Sequence, residues 1–259
     1  MEVIWLCVFA FLAGLLDSMV GGGGLIQIPA LFLFLPENNA TAVATVLGTN
    51  KLSSMCGTAI AAFQYSRRIN LHWQTIIPAA ITAFLLSFFG ALVVARLQPA
   101  MAKKFVLILL VAVAAYTFFH HDLGDRDMPG LKSRTATLFA VSLGAAIGFY
   151  DGFFGPGTGS FLIFCFVSIF GCKFIVASAG AKFVNLATNL SAVALFAATN
   201  HILYKYALPM GLCNMAGAVA GTHCAILKGN RFVRRLFLLT VTALILRYGW
   251  EVLTQLFHH

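Results

Sequence analysis

The sequence predicts an all-α integral membrane protein of about eight transmembrane segments in two duplicated halves, with glycine-broken or re-entrant helices at 14–35 and 148–172. Three observations carry that prediction. The chain of 259 residues is 60% hydrophobic and only 10% charged, where an average soluble domain is about 25% charged. Apolar runs long enough to cross hydrocarbon, ~20 helical residues each, recur along the whole length. Residues 14–24, Gly-Leu-Leu-Asp-Ser-Met-Val-Gly-Gly-Gly-Gly, are answered 134 positions later by residues 148–159, Gly-Phe-Tyr-Asp-Gly-Phe-Phe-Gly-Pro-Gly-Thr-Gly.

The first segment, 3–35, is flanked by Glu2 and by no basic residue, and apolar sequence continues past its glycines. It reads as membrane-embedded chain and not as a cleaved leader. As one helix it would be roughly 50 Å long, too long for one span and too short for two. Each of four successive glycines disfavours helix by about 1 kcal/mol relative to alanine, so the break is expected there. Segments 40–65, 74–97 and 101–120 follow, and then 135–172, broken again at its own glycines. Segments 174–197, 203–227 and 233–250 complete the chain.

Arg67, Arg68, Lys103, Lys104, Arg231, Arg234 and Arg235 sit at segment ends, where they meet lipid headgroups. The net charge of +9 is therefore no sign of nucleic-acid binding. No stretch remains for a soluble domain, and residues 1–259 form a single membrane domain. Repeat one covers about 3–120, a polar linker about 121–134, and repeat two about 135–252. The linker's charges (Asp122, Asp125, Asp127, Arg126, Lys132, Arg134) cancel, as in a solvated connector.

Beyond the opening motif the halves match at an offset of 131: Lys51 with Lys182, Pro78 with Pro209, Gly90 with Gly221, Lys103-Lys104 with Arg234-Arg235. Whether the repeats are parallel or inverted depends on the glycine breaks. A kink gives an even number of spans per half and parallel repeats, whereas a helical hairpin gives an odd number and inverted repeats. The loop charges are too evenly spread to decide. The hairpin is favoured.

Cys7, Cys56, Cys165, Cys172, Cys213 and Cys224 show no C-x-x-C spacing and read as small packing residues. The histidines form no ligand-spaced cluster, and no metal or cofactor is predicted. Gly155-Pro-Gly-Thr-Gly lacks the Gly-Lys-Ser/Thr ending of a nucleotide loop and lies between membrane-apolar flanks.

Ionisable side chains at bilayer depth belong where a polar substrate is handled. Lys51 lies near the middle of its segment and Lys182 two turns into its own. An unpaired lysine there costs roughly 2.5–3.5 kcal/mol, so an anionic partner is expected: a substrate, an internal Asp17 or Asp151, or each in turn. At a glycine break the backbone loses helical hydrogen bonds, and the positive end of the following half-helix faces the gap. Gly22, Gly23 and Gly24, with Gly157, Thr158 and Gly159, are therefore candidate anion contacts. Gly90 and Gly221 read instead as tight helix crossings. Thr49, Asn50, Ser53 and Ser54 flank Lys51, and Asn185 and Asn189 share a helix face with Lys182. Asp17 and Asp151 are candidate proton carriers or structural partners of the lysines.

These stretches resemble the TauE/SafE family, the sulfite exporter or sulfonate uptake permeases, and most of all its YfcA-like branch. The likeness rests on residues 14–31, 47–52 (Leu-Gly-Thr-Asn-Lys-Leu), 148–160 and 181–185 (Ala-Lys-Phe-Val-Asn). Gln27, inside the first stretch, joins the candidate substrate-binding residues. The resemblance implies a multi-pass permease of a bacterial inner membrane, with the lipid bilayer and a small sulfur-containing anion such as sulfite or a sulfonate as its partners. The second copy has Gly-Ala before Lys182 where the first has Thr-Asn before Lys51, so the half-sites are not equivalent. The function expected is secondary transport of a small anion by alternating access between the repeats, with proton coupling through Asp17 or Asp151. A passive anion channel and a membrane-embedded structural or assembly protein are the alternatives. No nucleophile or metal set points to an enzyme.

Overall fold

The structure, a computed structural model, describes residues 2–35, 43–95 and 133–257. Segment 101–120 lies outside them, as does the expected linker except for its last two residues, which open a helix. The described residues form eight helices: α1 (Glu2–Val20), α2 (Gly24–Phe34), α3 (Val43–Ser66), α4 (Trp73–Val94), α5 (Ser133–Phe153), α6 (Thr158–Ser168), α7 (Phe174–Ala198) and α8 (Tyr204–Phe257). α8 combines two helices that meet at Gly229 (φ 71°), which separates the expected segments 203–227 and 233–250.

Five of these helices are long and apolar enough to span a membrane, and α2 and α6 are short apolar helices of 11 residues. α3 has the length, 24 residues, but the polar side chains around Lys51 lower its hydropathy. Large apolar side chains such as Ile81, Leu85 and Phe89 on α4, and Leu208 and Leu212 on α8, face outward. An outer surface of that kind suits lipid. The protein is a multi-pass helical membrane protein.

The glycine runs make hairpins. Gly21 and Gly22 adopt left-handed backbone angles (φ 74° and 97°), which only glycine reaches without strain. The chain then turns back on itself. The Phe34 ring at the end of α2 lies 5.8 Å from Phe9 and 6.3 Å from Trp5 on α1, so α2 runs antiparallel to α1. At the second break Gly155 and Gly157 take positive φ, and Tyr150 before the turn packs on Phe161 after it.

Helix directions settle the repeat geometry. On α5 and α4, Gly144 meets Ala79, Gly148 meets Ala83 and Gly152 meets Ser87, so these two helices run parallel. The matched positions on α1 and α8 do the same, with Gly14 against Asn214 and Gly221 against Leu15. α3 runs with α8, since Gly48 touches His201 and Gly57 touches Asn214. Thus α1, α3 and α8 share one direction. The short turn 67–72 reverses the chain between α3 and α4, so α4 and α5 point the other way. The halves are inverted and interleaved: α1 of the first packs on α8 of the second, and α5 of the second packs on α4 of the first.

Those crossings need glycine. A Cβ on Gly90 would lie 2.1 Å from the Phe149 carbonyl oxygen, and one on Gly221 would lie 2.3 Å from that of Leu15. Both follow the small-residue packing expected from sequence, in which the helix backbones touch. Gly148→Val should force α4 and α5 apart, costing about 1–3 kcal/mol, and should lower the melting temperature in detergent. An unchanged melting temperature would refute the close crossing.

Candidate functional site

The two hairpin tips meet at the centre of the molecule. A Cβ on Gly21 would lie 2.3 Å from the Gly159 carbonyl carbon, and Gly24 packs on Pro156. Breaking α1 at Val20 orphans its last carbonyls, which hydrocarbon cannot satisfy. Other helices supply the donors. Tyr65 Oη donates to the Ser18 carbonyl (2.9 Å), Ser178 Oγ to Met19 (2.6 Å) and Ser160 Oγ to Val20 (3.0 Å). The second tip is capped locally: Tyr150 Oη donates to Pro156 O (2.6 Å) and Thr158 Oγ1 to Gly155 O (2.7 Å).

Beside these tips the four intramembrane charges form two crossed pairs. Lys51 Nζ on α3 lies 2.6 Å from Asp151 Oδ2 on α5, and Lys182 Nζ on α7 lies 2.8 Å from Asp17 Oδ2 on α1. Each lysine therefore pairs with the carboxylate of the other half. The Lys182 side chain is fully buried, and those of Lys51 and Asp151 are 4% and 2% exposed, while that of Asp17 is 17% exposed. Asp17 is held twice, since its Oδ1 also accepts the Gly23 N–H (3.1 Å).

A polar cavity of ≈ 20 Å³ lies between the tips and the two lysine helices, room for about one water molecule. Lys51, Asp17 and Asp151 reach it, with Asn50 and Ser54 from α3 and Asn185 and Asn189 from α7. Gly22, Gly24, Gly155, Gly157, Thr158 and Gly159 complete its wall. An oxyanion of several heavy atoms does not fit this volume.

Most of the residues singled out from sequence therefore converge, and four sit elsewhere for identifiable reasons. Thr49 Oγ1 donates to Thr45 O (2.7 Å) and accepts the Leu203 N–H (3.1 Å), which caps the start of α8. Gly23 is turned onto Asp17, where its N–H supports the carboxylate and is not presented to the cavity. Ser53 faces α8 at Gly211. Gln27 Oε1 accepts from Asn214 Nδ2 (2.9 Å). Lys182 lies behind Asp17 and acts on the cavity through it. Sequence reasoning passed over Asn214, although an asparagine inside the apolar stretch 203–227 was a usable signal. The capping set Tyr65, Ser160 and Ser178 carried no such mark.

Removing one member of a buried pair leaves an uncompensated charge, at about 3–5 kcal/mol. Asp17→Leu should lower the melting temperature sharply, and Asp17→Leu/Lys182→Leu should recover most of the loss. A double variant no more stable than the single one would show that the two residues do not act as a pair.

Comparison with known proteins places the chain. It is 36% identical to the probable membrane transporter protein ORF9 of Sinorhizobium sp. over 245 residues, 94% of this chain and 90% of that one. A probable membrane transporter protein of Haemophilus influenzae is 36% identical over 89% of this chain and 88% of its own. The probable membrane transporter protein YfcA of Escherichia coli K12 is 34% identical over 87% and 81%. No solved structure matches. The model of one family covers residues 6–248, which include both hairpins and all four paired charges. With that coverage the chain belongs to the sulfite exporter TauE/SafE family.

Proposed function

We propose that this protein is a secondary transporter of a small anion, sulfur-containing as the family description suggests, in a bacterial inner membrane. Relatives described as probable membrane transporters support the transport reading. The observation that carries the anion is the pair of crossed, buried lysine–carboxylate contacts at a polar cavity where two broken helices meet. Inverted halves meeting at broken helices are the architecture of alternating-access carriers.

In this conformation the cavity is closed to such an anion; when it opens, an entering anion competes with Asp151 for Lys51 and with Asp17 for Lys182. The ammonium groups turn to the anion, while Asn50, Asn185 and Asn189 replace part of its water shell. The two lysines and two aspartates sum to zero charge, so a bound monovalent anion leaves the site negative in low dielectric. Uptake of one proton by a carboxylate restores neutrality. Asp17, the more exposed of the two, is the carrier of that proton. The loaded site is then neutral and can pass through the closed state.

In proteoliposomes, radiolabelled sulfite or a monovalent sulfonate such as isethionate should enter with saturation and show counterflow, and Lys51→Ala and Lys182→Ala should each abolish this. Near-normal uptake in both variants would overturn the site, and flux without counterflow would make the protein a channel. An inward proton gradient should drive uptake without net current. Asp17→Asn, which mimics the protonated acid, should keep counterflow and lose the response to the gradient; a response that survives would move the proton elsewhere.

A further inference from the structure

The inverted halves give nearly every buried position a counterpart. Gly14 on α1 lies against Asn214 on α8 as Gly148 on α5 lies against Ala83 on α4. At three neighbouring places the counterparts differ in kind. Gln27, Ser53 and Asn214 occupy one side of the inverted arrangement, on α2, α3 and α8, where Phe161, Val184 and Ala83 occupy the other, on α6, α7 and α4, and all six are buried. Apolar residues satisfy the packing of this layer on the second side, so the architecture does not require polar ones on the first.

The polar set also holds unmet hydrogen-bonding capacity. Asn214 Nδ2 donates to Gln27 Oε1 (2.9 Å), and Asn214 fits because Gly14 and Gly57 flank it. Gln27 Nε2, Ser53 Oγ and the neighbouring Asn50 Oδ1 are buried without a hydrogen-bond partner. Each such group costs about 1–3 kcal/mol, which a purely structural cluster has no reason to retain. The cluster adjoins the cavity. Gln27 is one turn along α2 from Gly24, and Ser53 one turn along α3 from Asn50, and both Gly24 and Asn50 line the cavity wall.

We infer that Gln27, Ser53 and Asn214 form a subsite opening off the anion cavity on the α2, α3 and α8 side only, which binds the neutral polar tail of an organic anion. This rests on the anion-transport reading above. The head of the substrate lies with the lysines, and its tail lies between α2, α3 and α8. Gln27 Nε2 donates to an oxygen of the tail, Asn50 Oδ1 accepts from a hydroxyl, and Ser53 does either. None of these side chains carries a charge. The tail they fit is therefore a hydroxyl or carbonyl group, not a carboxylate or an ammonium. The one-sided placement also means that the substrate binds in a single orientation.

The test compares uptake of isethionate, which carries a hydroxyl tail, with ethanesulfonate, which has the same head and two-carbon chain without the hydroxyl, and with sulfite. The wild-type protein should prefer isethionate to ethanesulfonate by roughly tenfold, the worth of about one good hydrogen bond. Gln27→Leu/Asn214→Ala should erase that preference while leaving sulfite uptake within about twofold and the melting temperature near wild type. Ser53→Ala, which leaves the amide pair intact, should erase part of it and serves if the double variant folds poorly. A wild-type protein indifferent to the hydroxyl, or a preference that survives in both variants, would overturn the subsite. If the wild-type protein transports none of the three probes, the anion-transport reading itself fails, and the subsite fails with it.

Discussion

A lysine ammonium held in hydrocarbon without a counter-charge is among the most unfavourable arrangements a membrane helix can contain, and this protein holds two. Each is neutralised by a carboxylate from the other half, at 2.6 Å and 2.8 Å. That exchange ties the halves together at mid-molecule. It requires α3 to face α5 and α7 to face α1, and it places all four charges beside the hairpin tips. The tips in turn can exist there only because polar side chains cap the carbonyls that the breaks expose. The position of each buried polar group follows from the need to satisfy another.

The interleaving of the halves follows from the same constraint. Long helices in lipid gain little from burying apolar surface, so close contact comes from backbone meeting backbone at small residues. Gly90 against Phe149 and Gly221 against Leu15 are the same contact made twice. These crossings pair a helix of one half with a helix of the other, so each packed pair contains chain from both repeats. The cavity lies between the two pairs, lined from α1 on one side and α5 on the other.

The symmetry is incomplete, and the departures lie near the cavity. The first break has three glycines lacking any side chain through Gly23, whereas the second contains Pro156 and caps itself through Tyr150 and Thr158. Asp17 is partly exposed where Asp151 is sealed. The two sides of the cavity are therefore unlike, although the helices that carry them are related by the inverted repeat.

Composition and hydropathy were enough to show a helical membrane protein, because the hydrophobic length of a span is a local property of the chain. The breaks were equally legible: four glycines disfavour helix wherever they occur, and α2 and α6 begin at Gly24 and Thr158, inside the two glycine-rich runs. The depth of Lys51 and Lys182 also marked them as charges that need an anionic partner, and each has one. Which aspartate each lysine meets was not legible, since Asp17 and Asp151 stand in equivalent positions and no local pattern separates a partner within the repeat from one across it. The same holds for Thr49, Ser53 and Gln27: a polar side chain on an apolar helix shows that it needs a partner, not where the partner lies. Hairpin against kink, inverted against parallel, and cavity against helix cap were decided by contacts between residues distant in sequence, and only the folded chain brings those together.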